Sequence, residues 1–490
     1  MHGSLVDLLA GLETGDLDAG ALVAASSERI LRQEPALNAL ITFDPEGCSA
    51  AAGRAGHRIR RGLAGPLSGI PFVVKDNIHV QGMRLTCGSR ILGSFTSPFS
   101  ATVVERLEAA GAVVLAKANM DEFAMGSSGE YSAFGPTRNP WDLDRVPGGS
   151  SSGSIVAVAA GYAPFALGSD TGGSVRLPAG FCNVTALRPS YGVLSRHGLT
   201  AMASSLDQVG PAAGSAEDLA LPFRIMAGRD PLDSTSLDLP DAERLYPLRP
   251  ARLRGLRIGL PKEYFGDAID PGVREVLLRA LDRFAAEGAE LVEISLPHTG
   301  FAIETYYLVC MSEASSNLSR FDGIRYGLRV DGKDLHDTIS RTRDAGFGPE
   351  VKRRILLGAF CLSKGYYDAF YLKAQKARHL LREDFQVAFQ GVDLIAIPVS
   401  PTVAFPLGAK VADPMAMYLA DIYSVAPALA GVPCISVPAG FSKGLPVGLQ
   451  LVAASLEDVR LIEVAHAFQA LTDHHLKRAP LFDTENSHGL

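Results

Sequence analysis

Ile70-Pro-Phe-Val-Val-Lys75 is a short apolar run of strand type that ends on a lysine, with Asp76 and Asn77 directly after it. Downstream, Ser100 to Ala110 repeats its apolar positions at helical spacing, and Ala112-Val-Val-Leu-Ala116 reads as a second buried strand. Strand, helix, strand in that order is a βαβ unit, so an α/β fold with a parallel or mixed sheet is expected. Working outward, Ser4 to Leu12 and Ala21 to Gln33 show helical periodicity on the N-terminal side. On the other side, Leu256 to Leu296 repeats the strand–helix–strand order, its helix opening at Asp270-Pro271. Pro349 to Phe389 reads as helical and rich in Lys and Arg, while Leu394-Ile-Ala-Ile-Pro398 and Gly448-Leu-Gln-Leu-Val452 read as core strands. Asp230 to Arg254, rich in Pro, Asp and Ser, resembles a linker in composition. No second catalytic constellation lies beyond it, so a surface excursion of one continuous domain, 1–490, is the expectation. There are no internal repeats.

The composition narrows the function. Hydrophobic residues make up 47% of the 490 positions and charged residues 20%, enough for a large core. A net charge of −7 speaks against a chain that binds nucleic acid by itself, because phosphate binding needs clustered Lys and Arg. The six cysteines are scattered, with no Cys-x-x-Cys pair and no His at ligand spacing. That pattern fits reduced, buried thiols rather than disulfides or a zinc site. Met1 to Ala25 carries Asp7, Glu13, Asp16 and Asp18 without a basic segment before an apolar run, which fits neither a signal peptide nor a mitochondrial presequence. The most apolar stretch, Ile155 to Leu167, is too short to span a bilayer and contains Gly161 and Pro164. A cytoplasmic protein without a membrane segment is expected.

The residues that carry chemistry cluster in Pro147-Gly-Gly-Ser-Ser-Ser-Gly-Ser154 and Gly168-Ser-Asp-Thr-Gly-Gly-Ser-Val-Arg176, on either side of the apolar helix Ser154 to Ala160. Glycine pairs beside a serine let backbone N–H groups turn inward toward a phosphate or a developing oxyanion. Taken alone, such a stretch is often only a flexible turn. A phosphate loop would close on Gly-Lys-Ser/Thr, and none follows. Asp170-Thr171-Gly172 is the tripeptide of aspartic proteases, but their chemistry needs two such carboxylates, and there is one copy here. Serine acyl transfer is the third class. Gly-x-Ser-x-Gly is absent and the nearest histidines, His79 and His197, lack a partnered context. A serine nucleophile would therefore need another base. A buried lysine serves if its pKa falls far enough, and Lys75, at the end of an apolar strand, is suitably placed; a solvated strand-end lysine is its ordinary alternative.

Gly69-Ile-Pro-Phe-Val-Val-Lys-Asp-Asn77, the Gly-Gly-Ser-Ser run and Asp170-Thr-Gly-Gly-Ser-Val-Arg176 together resemble the amidase-signature hydrolases. The intervals match too, 75 residues from Lys75 to Ser150 and 24 more to Ser174. The resemblance implies a large mixed sheet covered by helices on both faces. N-terminal helices would occupy about 1–65 and the signature core about 66–215, with the remainder completing the sheet and substrate pocket. It further implies Ser174 as nucleophile, Ser150 as a relay on a cis peptide bond after Gly149, and Lys75 as general base. The backbone N–H groups of Thr171, Gly172, Gly173 and Ser174 would form the oxyanion hole. Ser151 and Ser154 would order the loop, and Asp170 and Arg176 would tie it down. The family usually writes Gly-Gly-Ser-Ser-Gly-Gly-Ser; Ser152 stands at the second glycine pair here, and a positive φ there would strain a serine.

Within that family, Ala203 to Pro211, Ser312 to Tyr326, Glu350-Val-Lys-Arg-Arg-Ile355 and Met417-Tyr-Leu-Ala-Asp421 resemble the A subunits of tRNA-dependent amidotransferases, over about Leu5 to Phe482. That likeness implies a glutaminase. Arg354 would hold the α-carboxylate of glutamine as a bidentate fork, and Asp421 would accept from its α-ammonium. It implies no metal and no cofactor in this chain, with ATP and Mg held by a partner. The implied partners are the B and C subunits of a heterotrimer, with mischarged tRNA bound mainly by the partner. A free-standing amidase would share the triad and need no partners, and a catalytically dead scaffold would only bind them.

Overall fold

Alternate residues of Ile70–Lys75 face opposite ways in a strand, and both faces must be buried if the run is apolar throughout. The computed structural model describes residues 4–266 and 268–480 and shows this arrangement. Phe72 and Val74 enter one large apolar cluster, while Val73 enters a second on the opposite face. Phe165 and Leu167 divide from Ala166 in the same way one strand over, and the Phe72 and Phe165 rings stack with centroids 5.2 Å apart.

Among the described residues, eleven strands make a single sheet. They are β1 (Leu40–Phe43), β2 (Pro71–Lys75), β3 (Val113–Ala118), β4 (Phe165–Asp170), β5 (Thr185–Arg188) and β6 (Gln208–Ala213), then β7 (Arg257–Pro261), β8 (Glu290–Ile294), β9 (Leu394–Pro398), β10 (Cys434–Ser442) and β11 (Leu445–Val452). Their order is β1-β3-β2-β4-β6-β5-β10-β11-β9-β7-β8. β2 runs parallel to β3 and β4, and β7 parallel to β8 and β9; β4 is antiparallel to β6, and β10 to β5 and β11. The sheet is therefore mixed, and the two predicted βαβ units sit in its two halves.

Some elements differ from the sequence expectation. The apolar helix starts two residues earlier, at Ser152, and ends at Ala159. The basic region is two helices, Pro349–Leu362 and Lys373–Gly391, separated where Gly365 takes φ +91° and by a turn of π-helix, Asp368–Leu372, that leads into the second. Asp230 to Arg254 holds only a short 3₁₀ turn, and it is fastened to the main core by Leu239, Leu245, Leu248 and Leu253. All six cysteines are buried and unpaired. Among the described residues no helix is long and apolar enough to cross a membrane. Phe482, where the family resemblance ends, lies outside the described residues.

Candidate active site

β2 delivers Lys75 to the face shared by Val73, and the helix Ser152–Ala159 packs on that face through Ile155, Val156 and Ala157. The Gly/Ser run leading into this helix closes over the lysine. Lys75 Nζ lies 2.7 Å from Ser150 Oγ, 2.9 Å from Ser151 Oγ, 2.9 Å from Ser169 Oγ and 3.3 Å from the Ser169 carbonyl oxygen. Every one of these groups is neutral. Complete burial therefore works against the ammonium and lowers the pKa to about 7, although Asp121, Asp170 and Asp207 pull it part of the way back from farther off. Near neutral pH the amine is free to accept a proton in a large share of molecules.

The three serines around Nζ are not equivalent. Ser151 Oγ donates to the Ser169 carbonyl (3.0 Å) and accepts from the Ser169 N–H (3.2 Å), so it stitches the loop to β4. Ser154 Oγ does the same one turn on, donating to the Leu167 carbonyl at 2.9 Å. Among the described residues Lys75 is the only hydrogen-bond partner of the Ser150 hydroxyl. The Gly149–Ser150 peptide bond is cis. A Cβ at Gly149 would stand 2.0 Å from Asp121 Oδ2, so glycine is required there by close approach.

Ser174 lies in the turn between β4 and the helix Arg176–Cys182, and its carbonyl accepts from the Ser151 N–H at 3.0 Å. That bond sets the two Gly/Ser segments side by side. Ser174 is 8% exposed where Lys75 and Ser150 are 0%, which makes it the most accessible of the three.

Asp170 fixes this turn from beneath. Its carboxylate accepts from the N–H groups of Gly173 (2.9 Å) and Val175 (3.3 Å), from Arg176 Nε (3.0 Å) and from Arg188 (3.0 Å). Burial would raise its pKa, but the two guanidinium groups outweigh that and hold it well below the usual carboxylate range. The bond to Gly173 alters the oxyanion-hole expectation, because that N–H is already committed. Thr171, Gly172 and Ser174 keep N–H groups with no recorded partner among the described residues. Side chains are excluded next to them. A Cβ at Gly172 would be 2.5 Å from the Tyr306 ring, and one at Gly173, where φ is +139°, would be 2.3 Å from Ser424 Oγ.

Ser152 is accommodated without strain. It is the first residue of its helix, has no positive φ, and its Oγ bonds Thr137 Oγ1 at 3.2 Å. Gly153, the second residue of that helix, cannot be replaced, since a Cβ there would lie 2.1 Å from the Ala39 carbonyl.

Arg354 and Asp421 are buried rather than surface charges, at 3% and 7% exposure. Arg354 shares the inner face of its helix with Val351, Gly358 and Cys361. Its Nε donates to Glu350 Oε1 at 2.8 Å, and its guanidinium carbon lies 5.3 Å and 5.4 Å from the Tyr307 and Tyr418 ring centroids. Asp421 Oδ2 accepts from Ser127 Oγ (2.7 Å) and Tyr307 OH (3.0 Å). Burial pushes its pKa up to about 6, with both hydroxyls and Arg354 opposing the rise. Tyr307 thus touches both residues. Ser424, three positions after Asp421, donates to the Gly172 carbonyl at 2.5 Å, which joins this corner to the Ser174 turn.

Residues 21–462 match the Amidase family. The chain belongs to the amidase family. The A subunit of glutamyl-tRNA(Gln) amidotransferase from Moorella thermoacetica is 55% identical over 424 residues, covering 86% of this chain and 87% of that protein. Among solved structures, the A subunit of glutamyl-tRNA(Gln) amidotransferase from Thermotoga maritima superposes with a TM-score of 0.77 at 40% identity, covering 92% of this chain and 91% of that one. Native peptide amidase from Stenotrophomonas maltophilia gives 0.83 at 32% identity, covering 98% of each chain.

For this amidase, sequence reading does not single out Ser169, Asp121, Glu350, Tyr307 or Tyr418, all of which contact the residues above. Tyr306-Tyr307 on a helix and Tyr418 beside Asp421 read as ordinary core aromatics. Only the need of a buried Arg354 for partners would point to them.

Proposed function

We propose that this chain is the glutaminase component of a tRNA-dependent amidotransferase, acting as one domain through a Lys75–Ser150–Ser174 relay. Neutral Lys75 accepts a proton from Ser150, Ser150 takes one from Ser174, and Ser174 Oγ attacks the side-chain carboxamide carbon of glutamine. The N–H groups of Thr171, Gly172 and Ser174 hold the oxyanion, each donor worth about 3 kcal/mol when aimed correctly. The proton returns through Ser150 to the departing nitrogen, ammonia leaves, and water hydrolyses the glutamyl-Ser174 ester. Arg354 grips the α-carboxylate and Asp421 the α-ammonium, so the substrate is an amino acid rather than a simple amide. Ammonia passes to the B subunit, which activates Glu-tRNA(Gln), Asp-tRNA(Asn) or both with ATP and Mg, and the C subunit clamps the pair. The whole works in the cytoplasm, and this chain supplies no cofactor of its own.

The observation that carries this reading is the buried Arg354/Asp421 corner, joined through Tyr307 and Ser424 to the turn that bears Ser174. High identity over most of the chain to relatives named as amidotransferase A subunits supports the same branch. Glutamate formation by the chain alone, with the B and C subunits, and with ATP and mischarged tRNA added is the test. Slow turnover alone and acceleration by the full set are expected. Fast hydrolysis of simple amides by the lone chain, indifferent to partners, would instead mark a free-standing amidase, the reading to which the peptide amidase likeness belongs.

A further inference from the structure

The segment after β3, Asp121 to Ser127, touches both halves of the site. Asp121 accepts from the N–H groups of Gly129 (3.0 Å) and Tyr131 (2.9 Å) and backs directly onto Gly149, beside the relay serine. Ser127 holds Asp421 from the other end. Between them Glu122 points elsewhere. Its Oε2 accepts from the Gly348 N–H at 2.9 Å, and its Oε1 from Ser89 Oγ at 2.5 Å. Ser89 Oγ also lies 3.2 Å from the Gly346 carbonyl.

Gly348 is the N-cap of the helix Pro349–Leu362, which carries Glu350 and Arg354, and no side chain of its own caps that helix. A capping side chain has no room, because a Cβ at Gly348 would fall 2.4 Å from Glu122 Oε2. The first helical residue is Pro349, which has no N–H to satisfy. A carboxylate from a distant loop instead takes up the N–H of the N-cap residue itself, the bond that an N3 side chain makes in a capping box, at the positive end of the helix dipole. Glu122 is 4% exposed, and burial pushes its pKa up to about 7 against the hydrogen bonds from Ser89 and Gly348. Farther along, the helix is pressed onto its neighbour Ala302–Asn317, which carries Tyr306 and Tyr307; a Cβ at Gly358 would lie 2.0 Å from the Met311 carbonyl. Its C-terminal half is thus fixed by packing and its N-terminal turn by Glu122.

We infer that Glu122 is a positioning residue for substrate recognition, seating the N-terminus of the Arg354 helix against the loop that also backs the relay serine. It touches neither substrate nor reacting atoms. It sets how far the Arg354 fork stands from Ser174, and so matches the grip on the amino-acid end to the attack on the amide. The inference rests on the proposed role of Arg354 in holding glutamine. Arg354 stands about 9 Å along the helix from Gly348 at 1.5 Å per residue, so a loosened first turn displaces it directly.

Steady-state hydrolysis of glutamine and of propionamide by the full chain with its partners tests this in Glu122→Ala and Glu122→Gln. Glu122→Ala is expected to raise KM for glutamine about 10-fold while kcat and propionamide turnover stay within about 3-fold. Glu122→Gln, which keeps an acceptor for the Gly348 N–H, is expected to return KM to within about 3-fold of the original. Should Glu122→Ala fail to fold, Ser89→Ala removes only the second contact and is expected to raise KM in the same direction by about 3-fold. An unchanged KM in these variants, or equal losses on both amides, overturns the inference. A parent chain unable to hydrolyse glutamine would overturn the proposed function and this inference together; an active parent with unaltered KM in Glu122→Ala overturns this inference alone.

Discussion

Each end of the site buries a cation, and the two are treated in opposite ways. At the catalytic end, Lys75 meets three hydroxyls and a carbonyl and no carboxylate directly, and its pKa falls to about 7. At the recognition end, burial also works against the charge of Arg354, but the Glu350 carboxylate 2.8 Å from its Nε and the faces of the Tyr307 and Tyr418 rings favour the guanidinium, which stays charged. Burial alone therefore does not decide the protonation state; the first neighbours do. A base has to release its charge during the reaction, whereas a carboxylate fork has to keep it. The surroundings match those two tasks, and each can be broken separately.

The largest effect belongs to Ser174, the proposed nucleophile. Ser174→Ala should lower glutamate formation by on the order of 10⁴-fold or more, and Ser150→Ala by about 10³-fold, with unchanged circular dichroism. Near-normal turnover by Ser174→Ala would remove the acyl-enzyme from the account. Lys75→Arg sharpens the comparison itself, because it places at the catalytic end the permanently charged group that suits the recognition end. It should be as inactive as Lys75→Ala, since arginine cannot give up its proton. An active Lys75→Arg would make the residue an electrostatic support. At the other end, Arg354→Ala should raise KM for glutamine by roughly 10- to 150-fold, the 1.5–3 kcal/mol of a charged hydrogen bond, with little change toward propionamide. Equal losses on both substrates would contradict a recognition role. The smallest effect is a titration. Asp421 is ionised above about pH 6 and neutral below it, so KM for glutamine should rise as pH falls through 6. A KM that is flat from pH 8 to pH 5 would exclude Asp421 as the acceptor for the α-ammonium.

How far the sequence discloses this arrangement varies by region for physical reasons. β2 is legible because a run of bulky apolar residues buried on both faces stands out, and the lysine that ends it is conspicuous. β4 is not. Phe165-Ala-Leu-Gly-Ser-Asp170 has two small residues and an aspartate in its second half, and it reads as part of a Gly/Ser turn although every residue is buried. β5, β6 and β10 also escape, because Thr185-Ala-Leu-Arg188, Gln208-Val-Gly-Pro-Ala-Ala213 and Cys434-Ile-Ser-Val-Pro-Ala-Gly-Phe-Ser442 are broken by small or polar residues, Gly or Pro, so that neither a bulky apolar run nor an alternation shows. Ser150 and Ser174, the proposed relay and nucleophile, are singled out through motif and interval. Arg354 is hidden among Lys352 and Arg353, and only its place on the face of Val351, Gly358 and Cys361 marks it as inward. The commitment of the Gly173 N–H to Asp170 is invisible in sequence, because it depends on how the turn folds back over the carboxylate.

Lys75 is proposed to work as a neutral amine, and the pH dependence of kcat/KM for propionamide tests this most directly. This substrate has no α-carboxylate or α-ammonium, so titration of Asp421 does not enter, and kcat/KM reports ionisations of the free enzyme. Lys75 is charged below its lowered pKa and neutral above it. The rate should rise with pH to half its maximum at about 7 and level off above that value. A profile flat across this range, or a rise only toward pH 10 as for an ordinary solvated lysine, would contradict the account.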